Sequence, residues 1–258
     1  MKIYLHFLTL HIKSLFQYKV SFLLTTLGQF LVSFNVFLGI YFMFQRFHQV
    51  MGYHFSEVLL CFSIVLMGYS IAEAFARGFD LFASMISNGE FDRILLRPRN
   101  EIFLVLSSKI ELSRVGRLIQ AIIMLSYAVM TTGVSWTVDK VLTVILMILG
   151  GSVVFGCLFV IYASICFFTI EGLEFMNVLT DGAREFGMYP LNIFGKGILK
   201  FCTFLVPYAL FQYYPFLYLT GRTDNRLFML LPFVACLFAI PTYGFWKFGV
   251  KHYKSTGS

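Results

Sequence analysis

Long apolar runs, separated by short charged stretches, are the feature that most constrains this chain of 258 residues. A helix needs about 20 mainly apolar residues to cross a bilayer. Hydrophobic residues make up 59% of the chain and charged residues 13%, whereas soluble domains have roughly 45–50% and ~25%. Lipid is therefore the solvent for much of the surface. The runs of spanning length are 20–44, 55–76, 118–134, 141–170, 198–219 and 227–250. The sequence predicts a single all-α membrane domain, 1–258, with about six transmembrane helices.

Basic residues are distributed unevenly between the stretches that join these runs. If the N-terminus lies inside the cell, 16 of the 20 Lys and Arg residues fall in the cytoplasmic segments 1–19, 77–117, 171–200 and 247–258. The positive-inside rule then predicts cytoplasmic N- and C-termini, which an even number of spans requires. The same rule accounts for the net charge of +7. We expect membrane lipid as a partner and no nucleic acid.

The segment 1–19 carries a polar stripe at helical spacing. Its members are Lys2, His6, Thr9, Lys13 and Gln17. Apolar side chains occupy most of the remaining surface, which is typical of a helix that lies in the membrane interface. We predict an amphipathic interfacial helix here, and a cytoplasmic extension of the first span is the alternative.

The segment 77–117 is the longest polar stretch and contains no spanning run. Asn88-Gly89 indicates a turn, and Pro98 stops a helix at or before Arg97. We expect a helix, a turn, a short helix, a break and a further helix into the third span. Some 40 ordered residues exceed the length of an ordinary connection. The segment is therefore a candidate docking element for a soluble partner.

Polar residues inside the spans are few. Glu57 and Glu73 bracket the second run, and we expect both to reach the interface. Between 171 and 200 the chain becomes amphipathic, which predicts a cytoplasmic extension of the fourth helix followed by a break. Neither stretch shows the dense polar site of a secondary transporter.

The sequence lacks the residue patterns of common catalytic and metal sites. The nearest approach to a phosphate loop, Gly195-Lys196-Gly197, has no Ser or Thr after its lysine and no upstream glycine-rich cradle. The five cysteines lie in apolar runs without a CxxC pair, and no histidines pair deep in the membrane. We therefore expect no catalytic residue, cofactor or metal in this chain, and we expect ATP and Mg to bind elsewhere.

Two fragments keep an intramembrane enzyme, a protease or a lipid transferase, open as an alternative. The residues 181–184, DGAR, resemble part of the CDP-alcohol phosphotransferase element without its spacer or its downstream aspartates. Glu171 and Glu174 resemble the glutamate pair of CAAX-type intramembrane proteases, which also need adjacent glutamates and later histidines. A non-transporting membrane scaffold is a further alternative.

Two ordered motifs resemble the ABC-2 family of transporter permeases. Residues 89–98, GEFDRILLRP, are similar to the family pattern G-x-x-D-x-x-L-x-R-P. Downstream, YPL at 189–191, PYALF at 207–211 and YP at 214–215 resemble a second pattern of the same family. Together with the predicted topology, the resemblance extends over the whole chain.

The resemblance implies an exporter of the bacterial inner membrane. Two six-span permeases, identical or related, would pair around a central path, while cytoplasmic ATPase subunits bind ATP and Mg and push on coupling helices. In this chain the tip of the coupling element would be residues 89–98, here named the coupling tip. The residues expected to contact the ATPase are Gly89, Asp92, Arg93, Leu95, Leu96, Arg97 and Pro98. Pro207 and Pro215 are expected to kink the fifth span into an external gate.

Overall fold

The computed structural model describes residues 9–13, 17–169 and 177–255, and in these ranges it is helical, with one isolated bridge between Val50 and Tyr53. Helices α1 to α7 are Lys19–Arg46, Phe55–Asp80, Phe82–Ser87, Glu90–Leu95, Glu101–Ser108, Val115–Thr131 and Val138–Thr169. Helices α8 to α13 are Ala183–Phe186, Lys196–Phe204, Tyr208–Phe211, Tyr213–Leu219, Leu231–Cys236 and Ala239–His252.

Five stretches of the described chain are long and apolar enough to cross a membrane. They are Lys19–Arg46, Phe55–Ser87, Leu112–Thr131, Val138–Thr169 and Arg226–His252. Each coincides with one of the runs predicted from the sequence, because uninterrupted apolar residues favour a helix whose backbone groups are satisfied internally. The all-helical membrane fold is confirmed in this form.

Helix α2 is the centre of the molecule and packs against α6 and α7. Most of its residues from Val58 to Phe79 are buried. We name its two extremities the Phe55 end and the Asp80 end, and they serve as references for depth. Helix α1 and the C-terminal end of the described chain both reach the Asp80 end, since Gln29 of α1 contacts Arg117 and Ser255 contacts Asp92.

The predicted fifth span, 198–219, is not a single helix. It forms the three short helices α9, α10 and α11, with breaks before Tyr208 and at Gln212. Pro207 precedes α10, where a proline ends the preceding helix because it has no N–H to donate. Pro215 lies in the first turn of α11, a position that tolerates proline.

A different segment, 177–194, runs along the half of α2 that ends at Phe55. Tyr69 of α2 donates a hydrogen bond to Asp181 at 2.6 Å, the Cys61 thiol faces the Gly187 carbonyl at 3.6 Å, and Tyr53 donates to Asn192 at 3.1 Å. The first two of these α2 residues are about 12 Å apart along the helix axis. The segment therefore runs from the middle of α2 to the Phe55 end.

This path corrects the expectation that all of 171–200 lies on the cytoplasmic side with the coupling segment. Asn192 lies at the Phe55 end, and Lys196 and Lys200 follow it in α9. The chain then descends through α9, because Tyr208 donates to the Leu179 carbonyl. It returns through α10 and α11, so that 196–219 is a hairpin with both extremities at the Phe55 end.

The irregular backbone of 177–194 explains why periodicity missed it. It comprises the π-helical turn Val178–Gly182, the single turn of α8 and the 3₁₀ turn Leu191–Phe194. Such backbone is tolerated at membrane depth only where protein covers it. Here the Gln212 amide donates to the carbonyls of Gly187 and Tyr189, at 3.1 and 2.8 Å.

Parts of the predicted interfacial helix lie outside the described residues, including Lys2 and His6. Residues 9–13 are helical, but the orientation of 1–19 in the interface stays a prediction. Glu171 and Glu174 also lie outside the described residues.

Candidate functional site

A buried ion cluster joins three helices at the Asp80 end. Glu73 of α2 is only 4% exposed and contacts two arginines, Arg117 at 2.5 Å and Arg114 at 3.1 Å. Arg117 also donates to Gln29 of α1. A single carboxylate faces two guanidinium groups here, and the amide oxygen of Gln29 is a further acceptor for Arg117. The cluster thus ties α1, α2 and the start of α6 together.

A second set of charges extends this cluster toward the surface. Arg77 pairs with Glu111 at 2.9 Å and with Asp80, and Arg114 pairs with the same Glu111 at 3.3 Å. Glu111 lies within the segment 77–117, just after α5. These charge pairs therefore stabilise the packing of that segment against α2.

Glycines allow the helices around the ion cluster to approach one another closely. Gly116, in the first turn of α6, lies against the backbone of Thr26 in α1, and a side chain there would collide with the Thr26 carbonyl. Gly78 of α2 lies in the same way against the Val105 carbonyl of α5. Small residues at such crossings are typical of helix packing in membranes.

The coupling tip has the turn that the sequence predicts. Gly89 adopts a φ of 67°, which a residue with a side chain rarely adopts, and α4 begins directly after it. After Pro98, Asn100 caps α5 by accepting a hydrogen bond from the Phe103 N–H at 3.4 Å. The tip is therefore a short helix held between two sharp turns.

The tip helix is amphipathic, and its two faces have different surroundings. Phe91 and Ile94 are buried, whereas Leu96 is 86% exposed. Arg93 and Arg97 are also exposed. The exposed face consequently combines an apolar side chain with cationic ones.

An aromatic cluster holds the buried face in place. Phe91 lies 5.1 Å from Phe82, 5.2 Å from Phe167 at the end of α7, and 5.2 Å from Tyr253 after α13, measured between ring centroids. Trp246 completes the cluster at 5.2 Å from Phe82. Edge-to-face pairs of this kind fix relative orientation as well as burying apolar area. Movement of the tip therefore has a direct contact path to α7 and α13.

Arginines of the tip differ from those of the ion cluster in having no ionic partner. Within the described ranges, Arg93, Arg97 and Arg99 form no salt bridge, while Arg77, Arg114 and Arg117 each form at least one. Asp92, by contrast, accepts a hydrogen bond from the Ser255 hydroxyl at 2.7 Å. Of the residues predicted to contact a partner, Asp92 is therefore engaged within the chain, while Arg93, Leu95, Leu96, Arg97 and Pro98 are exposed.

Pro207 and Pro215 lie far from the coupling tip, in the hairpin 196–219. The residues that directly follow this hairpin contact the Phe55 end of α2. Arg222 donates to the Gly52 carbonyl at 2.7 Å and pairs with Glu57 at 3.1 Å. The guanidinium also lies 4.1 Å from the ring centroid of Tyr53.

Sequence reasoning missed the ion cluster. Glu73 was expected at the interface, but it is buried and paired. The available signal was a set of charges at helical spacing, Glu73 with Arg77 and Arg114 with Arg117, just inside apolar runs. Asp181, from the phosphotransferase-like fragment, instead contacts Tyr69 and Arg184. The described residues contain no group of three or more His, Cys, Asp or Glu arranged for a metal ion.

A family model described as ABC-2 family transporter protein matches residues 30–257. The chain belongs to this family, as its motifs predict, and is a transport permease rather than an enzyme. Permeases of this family generally work with ATPase partners. A search of curated proteins found no match, and a search of solved structures found none either.

Proposed function

We propose that this chain is the membrane-spanning permease subunit of an ATP-driven exporter, with a separate ATPase docking on the coupling tip. The observation that carries the proposal is an exposed Leu96 beside Arg93 and Arg97 of the tip and Arg99 just after it, none of which forms a salt bridge within the described residues. Arginine is enriched in protein interfaces. Guanidinium groups around an apolar side chain are complementary in charge and polarity to a groove on the ATPase with acidic walls and an apolar floor.

The proposed orientation places the Asp80 end in the cytoplasm. Segments at that end hold most of the basic residues even after Lys196 and Lys200 are assigned to the Phe55 end. Both chain termini are then cytoplasmic, in a bacterial inner membrane. The hairpin 196–219, with Pro207 and Pro215, lies at the outer end of the path and gates it.

The aromatic cluster provides the route by which movement of the coupling tip reaches the spanning helices. A force on α4 reaches Phe91, and from there Phe167 and Trp246, without crossing a flexible link. A second permease, identical or related, pairs with this chain across the central path. ATP and Mg bind to the ATPase, and the energy arrives in this chain as movement of the tip.

Charge reversal at the tip tests the proposal. Arg97→Glu should lower recovery of the ATPase in co-purification about tenfold, or roughly 1.4 kcal/mol, because an attractive contact becomes repulsive. Arg226→Glu is the matched control, since Arg226 is exposed at the opposite end of the molecule. If Arg226→Glu weakens binding while Arg97→Glu does not, both the docking site and the orientation are wrong.

A further inference from the structure

A groove that runs from beside the ion cluster toward the Phe55 end is lined by a ladder of aromatic rings on α1. Phe30, Phe34, Phe37 and Tyr41 follow one another with centroid distances of 6.1, 5.8 and 6.2 Å, each pair stacked. They recur every three or four residues, so they share one face of the helix. The ladder extends about 17 Å along the helix axis.

The opposite wall comes from α2 and α6, and the half-open groove between the two walls has a volume of about 240 Å³. Phe55 contacts the outer part of the ladder, with its ring 5.9 Å from that of Tyr41. Ile123 and Tyr127 of α6 line the other side. A cavity of about 150 Å³ is large enough for benzene, so this one has room for a body of about two fused rings.

Gln120 of α6 also lines this groove, and its side-chain amide is not satisfied. The residue is 2% exposed, and its oxygen has no hydrogen-bond partner among the described residues. Its nitrogen contacts only the Met124 sulfur, at 4.0 Å. A buried polar group left this way is destabilising, because it has lost its water without gaining a partner.

The contact with Met124 is weak, so it does little to fix the amide about its last torsion, which has a broad energy profile. Either the oxygen or the nitrogen can then turn toward a molecule in the groove. A leucine would fill the same volume without the unsatisfied group. A ligand that hydrogen-bonds the amide gives a physical reason for a glutamine at this position.

We propose that this groove binds a flat apolar compound of about two fused rings that carries one hydrogen-bonding group, which Gln120 recognises. Stacked aromatic walls favour a flat ring system over a flexible chain. A single buried polar group sets orientation in an otherwise apolar site. The site is complete within one chain, so it requires neither the ATPase nor the coupling tip.

The test compares two probes that differ by one hydroxyl, 2-naphthol and naphthalene, in equilibrium dialysis against the purified full chain in detergent, with empty micelles subtracted. The parent chain should prefer 2-naphthol about tenfold, and Gln120→Leu should abolish that preference while naphthalene binding persists. Equal binding of both probes to the parent chain would mean an unspecific apolar groove, such as one filled by a lipid chain, and would overturn the proposal.

A second pair of variants keeps the test decisive if Gln120→Leu does not fold. Ile123 lines the groove and is exposed, so Ile123→Trp should fill the space and weaken both probes at least tenfold. Its neighbour Ile122 is exposed on another face, and Ile122→Trp should change neither. Unchanged binding in Ile123→Trp shows that the probes bind elsewhere and overturns the proposal.

Discussion

Two sets of arginines at the same end of the molecule have opposite surroundings. Arg114 and Arg117 are buried, and each has an ionic partner in Glu73. Arg93 and Arg97 are exposed and have none within the described chain. The first set is satisfied by folding, whereas the second gains from contact with something outside the chain.

The difference separates residues that build the end of the bundle from residues that are available to a partner. A buried charge whose partner is removed is strongly destabilising, because it has lost its water as well. An exposed guanidinium group keeps its water and contributes little to folding. Changes in the two sets should therefore affect different measurements, stability in one case and association in the other.

The largest effect is expected at Glu73. Glu73→Leu leaves Arg117 buried without a carboxylate and leaves Arg114 with Glu111 alone, which should cost about 3–5 kcal/mol. The measurement is the unfolding temperature in detergent, together with the folded fraction in size-exclusion chromatography. Glu90→Gln on the exposed side of α4 should stay within about 0.5 kcal/mol of the parent. Equal stability of both variants would show that the cluster does not support the fold.

An intermediate effect is expected within the tip itself. Phe91→Ala removes a fully buried ring from the aromatic cluster and should destabilise by about 3 kcal/mol, with loss of ATPase binding because the tip is no longer held. Leu96→Ala, on the exposed face, should leave the unfolding temperature unchanged and weaken ATPase co-purification about tenfold. A parallel loss of stability in Leu96→Ala would contradict the division between the two faces.

Much of the architecture is readable from the sequence because membrane spans depend on local composition. Five runs became helices at nearly the predicted positions, and the turn at Gly89 follows from glycine chemistry. The run 198–219 was predicted as a span kinked by its prolines, and the break at Pro207 is present, but the run folds back as the hairpin 196–219 instead of forming one spanning helix. The segment 177–194, which leads along α2 to the Phe55 end, has too few consecutive apolar residues to be recognised by hydropathy.

The remaining differences between the prediction and the structure of the candidate site concern which side chains contact one another across helices. Which residues surround Glu73 depends on how α1, α2 and α6 pack, and spacing along one helix does not contain that information. The exposure of Leu96 and the burial of Phe91 follow helical periodicity, but the rings that receive Phe91 come from segments about 80 and 160 residues away. Contact between such distant segments is a property of the tertiary fold.

The smallest effect is expected at Glu101, whose surroundings are intermediate between the two sets. This carboxylate accepts a hydrogen bond from Lys247 of α13 at 2.5 Å and lies in the first turn of α5, but the lysine side chain is partly exposed. Burial opposes ionisation of Glu101, yet the Lys247 hydrogen bond and the backbone donors lower the pKa of the carboxyl below its ordinary value of 4.5. A pair of this kind contributes about 0.2–1 kcal/mol.

The sign of the pH dependence follows from that direction. Because the pKa of Glu101 is lower in the folded chain, the stabilisation is fully present above about pH 4.5 and is lost as the pH falls through the folded-state value. At pH 7 the parent should therefore unfold at a slightly higher temperature than Glu101→Gln, and the gap should close as the pH falls below about 4.5 and through the folded-state pKa of Glu101. High salt should narrow the gap at pH 7, since the lysine is in contact with solvent. A gap that is independent of pH would mean that Glu101 stabilises α5 by packing rather than by charge.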